Sequence, residues 1–192
     1  MRRVILLFLC IIYSSVVIKA QGPIGLPQVS SYNSLQYKGG TQNWSIGQDK
    51  NGILYFANNE GLLTFNGAYW KSYSLPNKTI VRSVRIANDG KIYVGGQDEI
   101  GYFYPNENGS LVFNSLKKLI PEGERQFADI WDIQVLANEV YFRTVNKIFR
   151  LKNNKVDVYI TRNAWSYIGK INNEIIAQEN KIIPELNEPI FI

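Results

Sequence analysis

The chain has 192 residues, 45% of them hydrophobic and 13% aromatic, enough for one or two packed domains and too apolar for a disordered polymer. It has no histidine and a single cysteine, Cys10, which excludes histidine triads and leaves no Cys/His set for a structural zinc. The formal net charge is +5, but Arg2, Arg3 and Lys19 supply three of those charges, and the +2 left without them is too little for a phosphate-binding surface.

Residues 1–20 read as a secretory signal peptide: Arg2 and Arg3 precede an apolar run from Val4 to Ile12, and Val17-Ile18-Lys19-Ala20 ends on a small residue. The run is shorter than the roughly 20 residues of a spanning helix, although Tyr13 to Ile18 would extend it into an inner-membrane anchor if it stays uncleaved. Leu9, before Cys10, is not the small residue of a lipoprotein signal. The expected location is the periplasm, for a mature chain with neither thiol nor disulfide. Residues 21–40 are rich in Gly, Pro, Ser and Gln, and with Pro23 and Pro27 they predict an extended lead-in.

From Trp44 onward one pattern recurs: strand, polar turn, strand, turn, strand. The first copy is Trp44-Ser45-Ile46-Gly47-Gln48-Asp49, a turn through Gly52, Ile53-Leu54-Tyr55-Phe56-Ala57, and Leu62-Leu63-Thr64-Phe65. The second is Val84-Arg85-Ile86-Ala87, a turn through Gly90, Lys91-Ile92-Tyr93-Val94-Gly95, and a strand from Ile100 to Tyr104. Gly52 to Gly90 and Tyr55 to Tyr93 are both 38 residues apart, so two landmarks share one period. A third copy starts at Trp131 and continues through Val140-Tyr141-Phe142-Arg143 and Lys147-Ile148-Phe149-Arg150-Leu151, displaced by extra material at 106–129 that includes one short helical turn near 115–120. A fourth, weaker copy runs from Trp165 to Ala177, and 181–192 fits the pattern poorly. Lys71-Ser72-Tyr73 and Val156-Asp157-Val158-Tyr159 read as outer fourth strands.

A repeat of about 40 residues with four short strands is the pattern of propeller blades, each of which buries its faces only against its neighbours. The predicted fold class is all-β: a partial β-propeller of about three to four four-stranded blades after the signal peptide. The blades fall at about 41–75, 79–115, 127–160 and, in part, 163–192. Asn-Gly and Asp-Gly are expected in two-residue hairpin turns. A meandering sandwich is the alternative that strand alternation leaves open.

The runs from Gly39 to Asp49 and from Gly52 to Leu63 resemble the two-component-regulator propeller repeat, in particular the amino-terminal sensor of Bacteroidetes regulators whose propeller precedes a triple-tyrosine domain. Pro76 to Ser83, Gly95 to Phe103 and Asp129 to Ile133 extend the resemblance to about residues 22–160. It implies a periplasmic, non-catalytic module that senses an extracellular ligand, such as a glycan, and in relatives a membrane helix and an output domain that does the signalling. This chain lacks those parts and carries fewer blades, so it reads as a fragment whose open blade edges invite self-association. The other functions considered are a carbohydrate-active propeller enzyme and a secreted scaffold or adhesion protein.

No cofactor and no metal site is expected. Asp129 and Asp132 bracket Trp131 and Asp98 adjoins Glu99, but acids beside strand starts and turns ordinarily cap and solvate loops rather than form a hydrolytic pair. Trp44, Tyr55, Phe56, Tyr93, Trp131, Tyr141 and Phe142 recur in phase, which predicts core between blades before any sugar-stacking platform. Ligand contacts are expected from the less repetitive loops, at Gln97, Asp98, Glu99, Arg125 and Asp129.

Overall fold

The computed structural model describes Gly25, residues 29–180 and residues 189–191. The segment read as a signal peptide, with Cys10, and Pro23 and Pro27 lie outside the described residues.

Among the described residues four small antiparallel sheets follow one another along the chain, each built from consecutive strands. The first holds β1 (Asn43–Gln48), β2 (Leu54–Asn58), β3 (Gly61–Phe65) and β4 (Trp70–Tyr73). The second holds β5 (Val81–Ile86), β6 (Ile92–Gly96), β7 (Ile100–Pro105) and β8 (Leu111–Ser115). The third holds β9 (Asp132–Leu136), β10 (Glu139–Arg143), β11 (Lys147–Lys152) and β12 (Lys155–Ile160). The fourth holds β13 (Ala164–Ile171), β14 (Glu174–Asn180) and β15 (Pro189–Phe191). The first strands of successive sheets lie against one another, so they form the inner edge and the fourth strands the rim. A sandwich would share one core between two facing sheets; here each core lies between consecutive sheets.

Three such cores hold the array together. Tyr55, Ala57 and Leu62 meet Val84, Ile92, Val94 and Phe103 between the first two sheets. Tyr93 and Ile100 meet Ile133, Val140, Phe142 and Phe149 between the second and third, and Leu136, Tyr141 and Ile148 meet Trp165, Ile168, Ile175 and Ala177 beyond. Tyr55, Tyr93 and Tyr141 thus occupy like environments in three successive sheets.

Several expectations are corrected. Residues 111–115, where the second blade and the extra material overlap in the sequence reading, are strand β8, because the Asn106–Gly109 turn, with Gly109 at φ 73°, folds them back onto β7. The insertion is therefore the stretch after it, with short 3-10 turns at Lys117–Leu119 and Glu122–Glu124. The Gly52 and Gly90 turns are three-residue loops rather than two-residue ones: the Gly52 N–H donates to the Asp49 carbonyl and the Asp49 N–H to that of Ile53, with the same bonds between Ala87, Gly90 and Lys91. In this loop only the glycine needs a positive φ, and Gly52 and Gly90 have 83° and 84°. The two-residue turn with both φ positive occurs instead at Asn153-Asn154. Within 181–192, which fitted the pattern poorly, Pro189–Phe191 pairs with β14 as an edge strand.

The lead-in is not extended throughout. Asn33 caps a helical turn, α1 (Ser34–Tyr37), in a reciprocal capping box with Gln36. The turn brings Tyr32 and Tyr37 onto Trp70 of β4, which also stacks on Phe65 at 4.5 Å and meets Phe56 at 5.3 Å. Asn58, fully buried, ties the lead-in to the first sheet by donating to the carbonyls of Gly40 and Gln42 and accepting from the Gly40 N–H. The outer half of the first sheet's terminal face is thus covered, whereas Ile46 on β1 stays 58% exposed.

Burial raises the phenol pKa of Tyr55, Tyr73, Tyr93 and Tyr141, that of Tyr141 to about 12, and hydrogen bonds to Asp49 and Glu139 add to the rise at Tyr55 and Tyr141. The folded chain keeps phenolic protons that the unfolded chain releases near pH 10, so this contribution is complete below about pH 10 and declines as pH rises above it. Denaturant midpoints should fall between about pH 10 and 12, in step with phenolate absorbance. A midpoint flat across that window would refute the coupling.

Candidate functional site

The inner strands begin with a shared irregularity. The register of β1 on β2 slips between Asn43 and Ser45, that of β5 on β6 between Val81 and Ser83, and that of β13 on β14 between Trp165 and Tyr167. Each slip frees one residue from the ladder: Trp44, Arg82 and Ser166. Trp131 holds the corresponding place immediately before β9, its N–H donating to the Arg143 carbonyl.

Three of these residues meet. The Arg82 guanidinium lies 4.0 Å from the centre of the Trp44 ring and 5.1 Å from that of Trp131, and the two indoles meet edge to face at 6.0 Å. Trp44 is held from behind by its indole N–H, which donates to Asn59 Oδ1 at 2.7 Å. Arg82 Nε lies 3.2 Å from Asp129 Oδ1, an ion-pair contact in which neither buried atom makes an aligned hydrogen bond. The terminal guanidinium nitrogens have no protein partner among the described residues. Trp44 and Trp131 remain 38% and 37% exposed. The result is a mostly buried cation in the corner of two half-open indoles, paired with Asp129 on one side.

The loop residues expected to touch ligand divide into two groups. Asp98, at φ 52°, and Asp129 line an open cavity of about 650 Å³ together with Trp131. Asp98 is also a brace, because its Oδ1 accepts from the backbone N–H groups of Phe127 and Ala128 at 2.7 and 2.8 Å. Gln97 is exposed and bridges Asp129 through the backbone. Glu99 is buried and accepts the Ser115 hydroxyl at 2.7 Å, while Arg125 donates to the carbonyls of Ile120 and Lys118 and so holds the insertion together. Asp98, Glu99 and Arg125 therefore each brace the fold through hydrogen bonds.

Of the in-phase aromatics, Tyr55, Tyr93, Tyr141 and Phe142 are core, but Trp44 and Trp131 are not. The sequence does carry a signal for their partner: Arg82 follows Trp44 by the same 38 residues that separate the turn glycines. The two acids around Trp131 are both ion-paired, Asp129 with Arg82 and Asp132 with Arg143 at 2.5 Å. Among the described residues no cluster of three metal-ligating side chains occurs.

No family model and no curated protein matches the sequence. Solved structures do match. The extracellular domain of a protein described as a hybrid two-component system of B. thetaiotaomicron superposes with a TM-score of 0.57 at 16% identity, over 77% of this chain and 21% of that one. A second such domain from that organism gives 0.56 at 18%, over 77% and 20%. A catalytically inactive virginiamycin B lyase from Staphylococcus aureus, solved with quinupristin, gives 0.59 at 18%, over 84% and 58%. The chain folds as a segment of a β-propeller. Its sheets are blades, and the Trp44, Arg82 and Trp131 cluster sits where the inner strands of three successive blades begin. The propeller segment spans about a fifth of the length of the two-component domains it matches.

Proposed function

We propose that this propeller segment is a recognition module of an exported, periplasmic sensor, that it is not catalytic, and that it binds its ligand at the Trp44–Arg82–Trp131 cluster. The observation that carries the reading is a guanidinium packed against two half-exposed indoles, its terminal nitrogens making no hydrogen bond to another described residue. Indoles stack on the apolar faces of sugar rings and a free guanidinium fork binds hydroxyls or carboxylates, so a glycan fits the chemistry. Asp129 and Asp98 sit beside it, and Gln97 is exposed at the same loop.

The superposition on extracellular domains of two-component systems supports the sensor reading. The lyase neighbour keeps an enzyme in view, but its inactive form is a histidine-to-alanine variant and these 192 residues hold no histidine. The carboxylates nearest the cluster are already paired or bracing loops, which leaves none poised as a general acid.

Calorimetric titration of the exported chain against a panel of neutral and acidic oligosaccharides tests the proposal, alongside a glycan-cleavage assay. Arg82→Ala and Trp44→Ala should each weaken binding roughly tenfold or more, with no turnover in any form. Turnover that disappears in Asp129→Asn or Asp132→Asn would overturn the binding-only reading.

A further inference from the structure

A second recess lies at the opposite end of the blades, between the first and second, and it follows from one departure from the repeat. The buried tyrosines of the second strands each face a cross-strand neighbour on the third: Tyr55 faces Thr64, Tyr93 faces Tyr102, and Tyr141 faces Arg150. In the second blade the Tyr102 ring packs edge-on to Tyr93 at 5.7 Å. In the third, Arg150 lies near enough to the Tyr141 hydroxyl to oppose the rise that burial and Glu139 impose on it. In the first blade the position holds only threonine. The groove there is a single recess of about 600 Å³, whereas the corresponding space between the second and third blades is divided into recesses of about 320 and 230 Å³. Its floor is the Tyr55 hydroxyl, donating to Asp49 Oδ2 at 3.1 Å, and Ile86 and Tyr104 wall the far side.

The fourth strands indicate which missing side chain the groove would take. Opposite Arg150 stands Asp157, its ion-pair partner at 2.6 Å; opposite Tyr102 stands Asn114; opposite Thr64 stands Lys71. A lysine repels a guanidinium and tolerates a phenol. We propose that this groove is a binding site for a phenol ring supplied from outside the chain, which seats over Tyr55 as Tyr102 seats over Tyr93. The ring buries its edge against Ile86 and Tyr104, and its hydroxyl reaches the Tyr55–Asp49 pair. The site shares no residue with the indole–guanidinium cluster and does not depend on that proposal.

The probe is p-cresol, the free tyrosine side chain, titrated into the full chain and followed by the aromatic resonances of Tyr55 and Tyr104, with n-propylguanidine as the competing chemistry. Saturable shifts with a Kd on the order of millimolar are expected for p-cresol. Binding should be lost in Thr64→Tyr, which fills the groove from within, and kept in Thr64→Ala. Lys71 is exposed, so Lys71→Asp tests the same idea without touching the core: affinity for n-propylguanidine should rise at least about fivefold, while that for p-cresol holds within about twofold. Absence of saturable shifts, equal binding by a folded Thr64→Tyr, or tighter guanidine than phenol binding by the unaltered chain would each overturn the proposal. If Thr64→Tyr does not fold, the Lys71→Asp exchange of preference decides it alone.

Discussion

Arg143→Ala is expected to lower the stability of the chain by about 3 kcal/mol or more, because it strands groups on two blades at once. Arg143 is a buried cation at the end of β10. It donates to Asp132 Oδ2 on its own blade and, through another nitrogen, to the Trp165 carbonyl on the next at 2.7 Å. Removing it leaves a carboxylate without its cation and a buried carbonyl without its donor, and each loss carries a desolvation penalty. Asp132 is one-third exposed, which keeps the estimate at the lower end of the about 3–5 kcal/mol typical of broken buried pairs. For a chain of this length that corresponds to a fall in Tm of roughly 6–12 °C. Arg143→Met restores apolar volume without the charge, and should recover only part of the loss. A fall under roughly 2 °C in Arg143→Ala would show that the contact is incidental.

Phe149→Ala should cost about 3–5 kcal/mol, the range for deleting a fully buried aromatic ring from a packed core. Phe149 has no exposed surface and meets Phe127 at 4.9 Å, edge to face, so its ring pins the insertion onto the third blade. The effect should reach beyond stability. The Phe127 and Ala128 N–H groups donate to Asp98, and the chain leads from them directly to Asp129 and Trp131. Loosening that segment should weaken the ligand binding proposed at the indole–guanidinium cluster. Wild-type affinity in a destabilised Phe149→Ala protein would show that the cluster is positioned independently of the insertion.

Much of this architecture could be read from spacing alone, and the limits of that reading have physical causes. Turn glycines and in-phase tyrosines repeat at 38 residues because both answer to local demands, a left-handed turn position and a buried strand face. Spacing alone places the insertion's start too early, ahead of β8, because inserted residues break the period. The roles of Asp98 and Arg125 depend on backbone groups across the loop or many residues away, and no local pattern reports such partners. The candidate site was half visible: the tryptophans stood out, but phase alone assigned them to the core, and Arg82 was hidden because its chemistry differs from that of its repeat-mates although its position does not. Thr64 illustrates the same point in reverse, since a small residue becomes informative only beside the larger ones that hold its place in the neighbouring blades.

The register slips at the inner strand starts have an evolutionary reading. A side chain released from the ladder is not held to the pairing of its strand, so Trp44, Arg82 and Ser166, with Trp131 just ahead of β9, are as unlike as indole, guanidinium and hydroxyl while the sheets beneath them keep one plan. Such a row of positions works as interchangeable type in a fixed frame: the side chains set there differ in size, charge and hydrogen-bonding capacity while the blades keep the same strand order.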